Sequence, residues 1–172
     1  MNRRKLETLL LTLESTAALL ARAAENLSAQ ETCFKPEGGG FSFRENVWHL
    51  ADLEREGFAG RIQRILTEDE PFLPDFNGDR LARERRYNER DPAQGLDAFR
   101  EARARNIEVL RHAARSDWKR RAQQEGVGRI SLDDIPRQMA QHDSSHTREI
   151  AGLIAHLREG RSCDPPCRSA VA

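Results

Sequence analysis

The sequence has no surplus of either charge: its 172 residues carry 28 basic and 28 acidic side chains, for a net charge of zero. Without a basic surplus there is no electrostatic attraction to nucleic acid, so we expect no nucleic-acid partner. No apolar run approaches the length of a membrane span, and the beginning of the chain lacks the continuous apolar segment of a signal peptide. We therefore expect a cytoplasmic protein without a membrane partner.

Cysteine is scarce, with residues at positions 33, 163 and 167 only. An odd and low number does not fit the disulfide framework of a secreted domain. Cys163 and Cys167 have CxxxC spacing, with two prolines between them, in the stretch that follows Gly160. We expect a flexible C-terminal tail over residues 161–172, and its composition favours reduced thiols over a redox or metal site.

Apolar residues recur at helical spacing in four stretches, which predict four long helices. The stretches run from Leu6 to Leu27, from Ser42 to Leu66, from Asp91 to Ala113 and from Ser131 or Asp133 to Leu157. Ser42 followed by Glu45 is a capping box, and Asp91 followed by Pro92 is an N-cap with proline at the first helical position. With no convincing strands, the pattern predicts an all-α fold, a four-helix bundle formed by one domain over residues 1–160.

The connection between helices two and three is long, from residue 67 to residue 91, and contains Pro71, Pro74 and Gly78. It predicts a short helix around residues 79–86. A connection of this length is often the lid or wall of a site, and it favours a crossover topology over a simple up-down-up-down order. The connectors at residues 28–41 and 116–130 are predicted to be loops because glycine interrupts their pattern.

His142 and His146 lie one turn apart on the predicted fourth helix. They share a stripe with Ile135, Met139 and Ile150, so both imidazoles point into the bundle. Burying two imidazoles is costly unless their nitrogens find partners, and one metal ion would satisfy both. From this spacing alone, two core histidines hydrogen-bonded to neighbouring groups are an equal alternative.

His49 lies at the edge of the apolar stripe of the second helix, beside Glu45 and Asp52. Taken alone, it would be interpreted as a surface histidine near a helix start. As a third ligand opposite His142 and His146, it completes a three-histidine set for one divalent transition metal ion. Three protein ligands leave coordination positions open, which is typical of a catalytic metal site.

The remaining histidines and the nearby acids have simpler interpretations. His112 and His156 are expected near helix ends on the solvent side. Asp52, Glu149 and Glu45 are candidates to orient the imidazoles or to act as a general base, although each is also an ordinary helix-surface charge.

Several stretches resemble proteins of the DinB-like superfamily, and the resemblance extends up to about residue 158. The most specific stretches are residues 43–54 (FRENVWHLADLE) and 142–150 (HDSSHTREI). Residues 131–135 (SLDDI) and the connector at residues 71–82 are also similar.

The resemblance implies a four-helix bundle with a mononuclear zinc or nickel site, and it aligns His49, His142 and His146 with the family's ligands. Homodimers are common in the family. It includes enzymes that use low-molecular-weight thiols, namely bacillithiol transferases and mycothiol-dependent maleylpyruvate isomerase. Thr147 and Arg148 depart from the apolar or glutamine residues that often follow the last histidine, which leaves the substrate open.

Three functions are compatible with the sequence. The first is a metal-dependent enzyme acting on a small molecule, such as a low-molecular-weight-thiol S-transferase, in which the metal activates a thiol. The second is a metal-dependent hydrolase, with Asp52, Glu149 or Glu45 as general base. The third is a non-catalytic bundle in which the metal is structural, sensory or incidental.

Overall fold

The computed structural model describes residues 3–159, and the four predicted long helices are present. The second of them is one continuous helix with a π-helical turn at its centre. The helical elements are α1 (Arg3–Ala24), α2 (Phe43–Asp52), the π turn (Leu53–Phe58), α3 (Ala59–Thr67), α4 (Gly78–Glu84), α5 (Pro92–His112) and α6 (Ile135–Arg158). The fold is the all-α four-helix bundle predicted from the sequence. None of the helices within residues 3–159 is long and apolar enough to cross a bilayer.

The helices pack in an order that differs from their order in the chain. Helix α1 packs against α5 and α6, and α2 packs against the same two helices. The consecutive helices α1 and α2 therefore occupy opposite corners of the bundle. A simple up-down-up-down arrangement would make them neighbours, so the packing agrees with the expected crossover.

Local signals start the helices where the sequence predicted. The backbone N–H of Glu45 donates to Ser42 Oγ at 3.1 Å, and the backbone N–H of Ser42 donates to Glu45 Oε2 at 2.9 Å. The carboxylate of Asp91 accepts from the backbone N–H of Ala93 at 2.9 Å, one residue after Pro92. These bonds satisfy donors that a helix start leaves without intrahelical partners.

The structure also contains a small three-stranded sheet that was not predicted from the sequence. Strand β1 (Phe72–Leu73) pairs parallel to β2 (Arg121–Gln124), which pairs antiparallel to β3 (Gly128–Ser131). The connector predicted as a loop is thus a hairpin, whose turn uses positive φ at Gly126 and Gly128. Strands this short show too few alternations for a period of two to be recognised. The sheet joins the two connectors beside the bundle.

Polar side chains divide the core into two apolar clusters. Along α5, Phe99 belongs to one cluster and Ile107 to the other, with Arg103 between them. Along α6, Met139 and Ile150 belong to different clusters in the same way. The buried polar groups in the layer between the clusters are Thr16, Glu54, Arg103, Asn106 and Asp143. The histidines of α6 lie at the level of this polar layer, at the centre of the bundle.

The predicted tail at residues 161–172, with Cys163 and Cys167, lies outside the described residues. Cys33 lies on a short 3₁₀ turn (Glu31–Cys33) and is disulfide-bonded, so it does not carry a free thiol.

Candidate metal centre

The structure brings the three predicted histidines together. His49 on α2 is buried, and His142 and His146 on α6 are half-buried. Nε2 of His142 lies 3.2 Å from Nε2 of His49 and 3.2 Å from Nε2 of His146. One nitrogen from each ring lies within 4.8 Å of the others. Three nitrogens therefore converge on one point between α2 and α6.

This spacing fits one divalent ion better than it fits three hydrogen-bonded core histidines. Zinc–nitrogen bonds of about 2.0–2.1 Å place tetrahedral ligands about 3.3 Å apart, close to the two observed separations. Within residues 3–159, the buried Nδ1 atoms of His49 and His142 have no hydrogen-bond partner. Partners in the protein thus do not explain why these two rings are buried.

Asn46 selects the tautomer of His146. Its side-chain oxygen lies 2.6 Å from Nδ1 of His146, while its amide nitrogen donates to the carbonyl oxygens of Ser42 at 3.0 Å and Phe41 at 3.3 Å. Because the amide nitrogen is occupied, the oxygen faces the ring and accepts a hydrogen bond from the Nδ1–H group of His146. Nε2 of His146 is left with its lone pair, which is the form that binds a metal.

Burial keeps the other two imidazoles neutral. Desolvation, strengthened by the neighbouring His146, lowers the pKa of His49 from 6.5 to about 4. The same two causes, in the same order, lower the pKa of His142 to about 3. A neutral ring is the form required of a metal ligand, so both side chains are ready to bind at neutral pH.

Tight packing holds the rings in place. A Cβ atom built on Gly78, at the start of α4, would lie 2.5 Å from Nδ1 of His49, so only glycine leaves room for this ring. Phe41 stacks on His146, with centroids 6.3 Å apart and an interplanar angle of 18°. Phe76, in the long connection between helices two and three, contacts His49 with centroids 6.0 Å apart. The long connection between helices two and three therefore forms a wall of the site.

A cleft of about 470 Å³ opens beside the histidines. Its apolar walls come from Leu53, Phe58, Phe76 and Val127, and its polar lining includes Gln124, Gln138, Gln141 and Ser145. Two charged side chains also line it: Arg61, which is 9 % exposed, and Asp75, which is exposed. Neither side chain was predicted from the sequence to belong to the site.

The predicted catalytic acids are held by other groups. Asp52 is fully buried, and its carboxylate accepts from Tyr87 Oη at 2.6 Å, from Arg55 Nη2 at 2.7 Å and from Arg85. Glu45 accepts from the backbone N–H of Ser42 in the capping box and from Lys35 Nζ at 2.9 Å. Neither carboxylate lines the cleft.

Glu149 is the candidate acid nearest to the histidines. Its Oε2 lies 3.4 Å from Nδ1 of His146, and its Oε1 accepts from the backbone N–H of Phe41 at 2.8 Å. These two contacts hold the pKa of Glu149 below its ordinary value. Glu149 thus contacts His146 on the side away from the converging nitrogens, where it can orient the ring.

The other two histidines lie away from the cluster and near the ends of their helices, but only His112 is exposed as expected. His112 is exposed at the end of α5, where its Nδ1 lies 2.9 Å from the carbonyl oxygen of Glu108. His156 stacks on Phe34, with centroids 5.5 Å apart.

Fold and site together define a four-helix bundle with a three-histidine cluster suited to one metal ion. The model of the DinB superfamily matches residues 12–150, and the chain belongs to this superfamily. No curated protein matches its sequence.

Solved structures that share the fold include two proteins with a described function. One is YfiT from Bacillus subtilis, described as a probable metal-dependent hydrolase with an unusual four-helix bundle topology. It is 23% identical, with a TM-score of 0.83 over 94% of this chain and 91% of that one. The other is the mycothiol-dependent maleylpyruvate isomerase, which is 13% identical, with a TM-score of 0.66. That match covers 84% of this chain and 60% of the isomerase.

Proposed function

We propose that this protein is a metal-dependent enzyme that binds a small thiol at its three-histidine centre and transfers it to an electrophilic carbon. The observation that carries the proposal is the convergence of three imidazole nitrogens beside an open cleft. His49, His142 and His146 would hold one zinc or nickel ion and leave its remaining positions open toward the cleft. The substrate is a small molecule, and the assembly we propose is a homodimer.

A divalent ion bound here would supply a Lewis acid that lowers the pKa of a thiol into the neutral range. The thiol proton goes to solvent, the sulfur lone pair forms a bond to carbon, and the leaving group departs with its electron pair. Asn46 accepts a hydrogen bond from Nδ1 of His146 and so turns Nε2 toward the other two rings, and Gly78 leaves room for His49.

The positions of the acids favour a thiol over water as the nucleophile. A divalent ion held here would lower the pKa of a thiol enough for the thiol to ionise without a general base, whereas attack by water is commonly assisted by one. Asp52, Glu45 and Glu149 are each held by other groups. This arrangement supports thiol transfer without requiring any of these acids to act on the substrate.

Metal content tests the centre itself. The His49→Ala variant is expected to lose the metal, falling from about one ion per chain to background, because two ligands hold an ion poorly. The matched control is His112→Ala, which changes an exposed histidine outside the cluster and should keep the ion. Elemental analysis of protein purified without a nickel column also identifies the metal. Equal metal content in both variants would contradict the site.

Turnover tests the reaction. The metal-loaded protein is mixed with low-molecular-weight thiols and 1-chloro-2,4-dinitrobenzene, and chloride release is measured together with thioether absorbance. We expect turnover that disappears in His49→Ala and after chelation. Absence of turnover with every thiol, while elemental analysis finds the metal bound, would reject thiol transfer.

A metal-dependent hydrolase is the second candidate. The observation in its favour is Asp75, a carboxylate that lines the cleft and could serve as a base for water. A panel of esters, amides and phosphoesters without added thiol separates the two reactions. Hydrolysis that is lost in Asp75→Asn would favour this candidate.

A further inference from the structure

Arg61 is a buried cation that faces the metal cleft. It lies on α3, is only 9 % exposed, and lines the same cavity as His49 and His142. Its charge is felt at the centre, since Arg61 is one of the groups that lower the pKa of His142. The cavity therefore has a set of neutral metal ligands and a separate positive charge.

The guanidinium of Arg61 has little to bind within the protein. Of the interactions formed within residues 3–159, its only hydrogen bond is to the carbonyl oxygen of Pro74, at 3.4 Å. Its carbon also lies 5.7 Å from the centre of the Phe58 ring. Burial lowers its pKa, and the exposed Asp75 offsets this effect only through a longer-range attraction. A guanidinium has five N–H donors, so most of its donors here are available to a ligand.

A buried charge without an ion-pair partner destabilises a fold, and such charges are kept where a ligand completes them. An arginine favours planar, bidentate recognition of a carboxylate. The metal ion would add two further positive charges to the same cleft. Asp75 is the only described carboxylate that lines the cavity, and its single negative charge is smaller than the positive charge of Arg61 and the metal ion together. A ligand that balances the remaining positive charge is therefore an anion.

We propose that Arg61 binds a carboxylate of the substrate, so that the substrate is an organic acid whose other end reaches the three histidines. This inference rests on the proposed function for the nature of that other end, the thiol. The walls between the two ends are apolar, from Leu53, Phe58 and Phe76, and they favour a hydrocarbon segment between the carboxylate and the reacting group. Gln138 and Gln141 on α6 can hydrogen-bond along its length.

The test compares mercaptocarboxylates of increasing length, from mercaptoacetate to 6-mercaptohexanoate, with mercaptoalcohols of equal length. Binding to the cobalt-loaded protein is followed by the thiolate-to-cobalt absorption band. In the best-fitting pair we expect the acid to bind at least about tenfold more tightly than the alcohol, which is the gain typical of a charge-assisted hydrogen bond.

Three variants assign the preference to Arg61. Arg61→Met should bind acid and alcohol equally, and Arg61→Lys should keep part of the preference. The matched control is Arg64→Met, one turn along the same helix, because Arg64 pairs with Glu68 and does not line the cavity. No preference at any length, or a preference that persists in Arg61→Met because the metal itself binds the carboxylate, would overturn the proposal.

A second measurement separates failure of this inference from failure of the proposed function. If no thiol gives the absorption band although cobalt is bound, thiol binding is rejected. The carboxylate site is then tested by comparing the effects of 4-phenylbutyrate and 4-phenylbutanol on the melting temperature. Arg61 then predicts that the acid, and not the alcohol, raises the melting temperature of the wild type. The shift should vanish in Arg61→Met and persist in Arg64→Met. Equal shifts from acid and alcohol would reject the carboxylate site as well.

Discussion

Arg103 and Arg61 are both buried in this bundle, but their surroundings are opposite. Arg103 is 2 % exposed, and its guanidinium donates to Asp143 at 2.7 and 2.8 Å, to Glu54 at 3.0 Å and to the carbonyl oxygen of Leu13 at 2.9 Å. Among the described residues, Arg61 has a single hydrogen bond, at 3.4 Å. Arg103 is surrounded by hydrogen-bond acceptors of the protein, whereas Arg61 faces a cleft.

The difference separates a structural role from a binding role. The partners of Arg103 come from α1, the π turn and α6, so this residue of α5 ties all four long helices together. Asp143 directly follows His142, so its ion pair with Arg103 also fixes the backbone that carries this proposed metal ligand. The groups of the cleft are left for a molecule from outside. We expect substitutions in the first region to change stability and those in the second to change binding.

The largest effect is expected from Arg103→Met. The substitution leaves Glu54 and Asp143 buried without their cation, which costs about 3–5 kcal/mol. Urea denaturation measures the loss of unfolding free energy. The control is Arg100→Met, one turn earlier, where an exposed pair with Asp97 is removed and the change should stay below about 0.5 kcal/mol. Similar losses in both variants would remove the distinction between the regions.

Lowering the pH should decrease the free energy of unfolding of the metal-free protein, because its buried imidazoles are neutral in the fold. The pKa values of His49 and His142 lie near 4 and 3 in the fold, and unfolding returns them to about 6.5. Above pH 6.5 both states hold neutral rings, so these groups add no pH dependence. As pH falls below 6.5 the unfolded chain binds protons first, and stability is lost through this window.

Between pH 6.5 and pH 5 the expected loss is about 1.5 kcal/mol for each ring. Urea midpoints of chelator-treated protein, measured across this range, give the slope. His49→Gln should make the slope shallower, and His112→Ala should leave it unchanged. An unchanged slope in His49→Gln would mean that this ring is not buried neutral.

Gly78→Ala should weaken metal binding by about tenfold or more, because the added methyl group displaces the imidazole of His49. Competition with a chelating dye measures the affinity. Gly60→Ala is the control, since a Cβ atom at Gly60 meets nothing within 4 Å. If the two variants bind metal equally well, the position of the His49 ring does not depend on the absence of a side chain at residue 78.

The smallest effect is expected from Arg61→Met, and its sign is opposite to that of Arg103→Met. Removing a buried charge without an ion-pair partner should raise the free energy of unfolding by up to about 1 kcal/mol. Urea denaturation of the metal-free protein is the measurement. A loss as large as that of Arg103→Met would show that Arg61 is part of the structure and not a binding group.

Features set by neighbouring residues could be predicted from the sequence. The capping box of Ser42 and Glu45 and the start at Asp91 and Pro92 involve residues up to three positions apart. The pairing of His142 with His146 follows from helical periodicity alone. The joining of His49 to this pair relied on the resemblance to a family, because periodicity does not fix which faces of two helices meet.

Features set by distant pairs could not be predicted. Asn46 contacts His146 across a separation of 100 residues, and no local pattern marks an asparagine as the partner of a ring. Asp52 was expected beside His49, but it instead binds Tyr87 and Arg85, which come from the long connection. The direction of a carboxylate depends on such partners, so a helical wheel cannot identify a catalytic acid.

The π turn at Leu53–Phe58 determines which residues of the second helix share a face. In a regular α-helix, twelve residues separate the directions of His49 and Arg61 by about 120°. A π turn holds one more residue than an α turn, which delays the winding by about 100° and brings the two side chains within about 20° of each other. The extra residue acts as a phase shift, and it allows a single helix to present both the metal ligand and the arginine to one cleft.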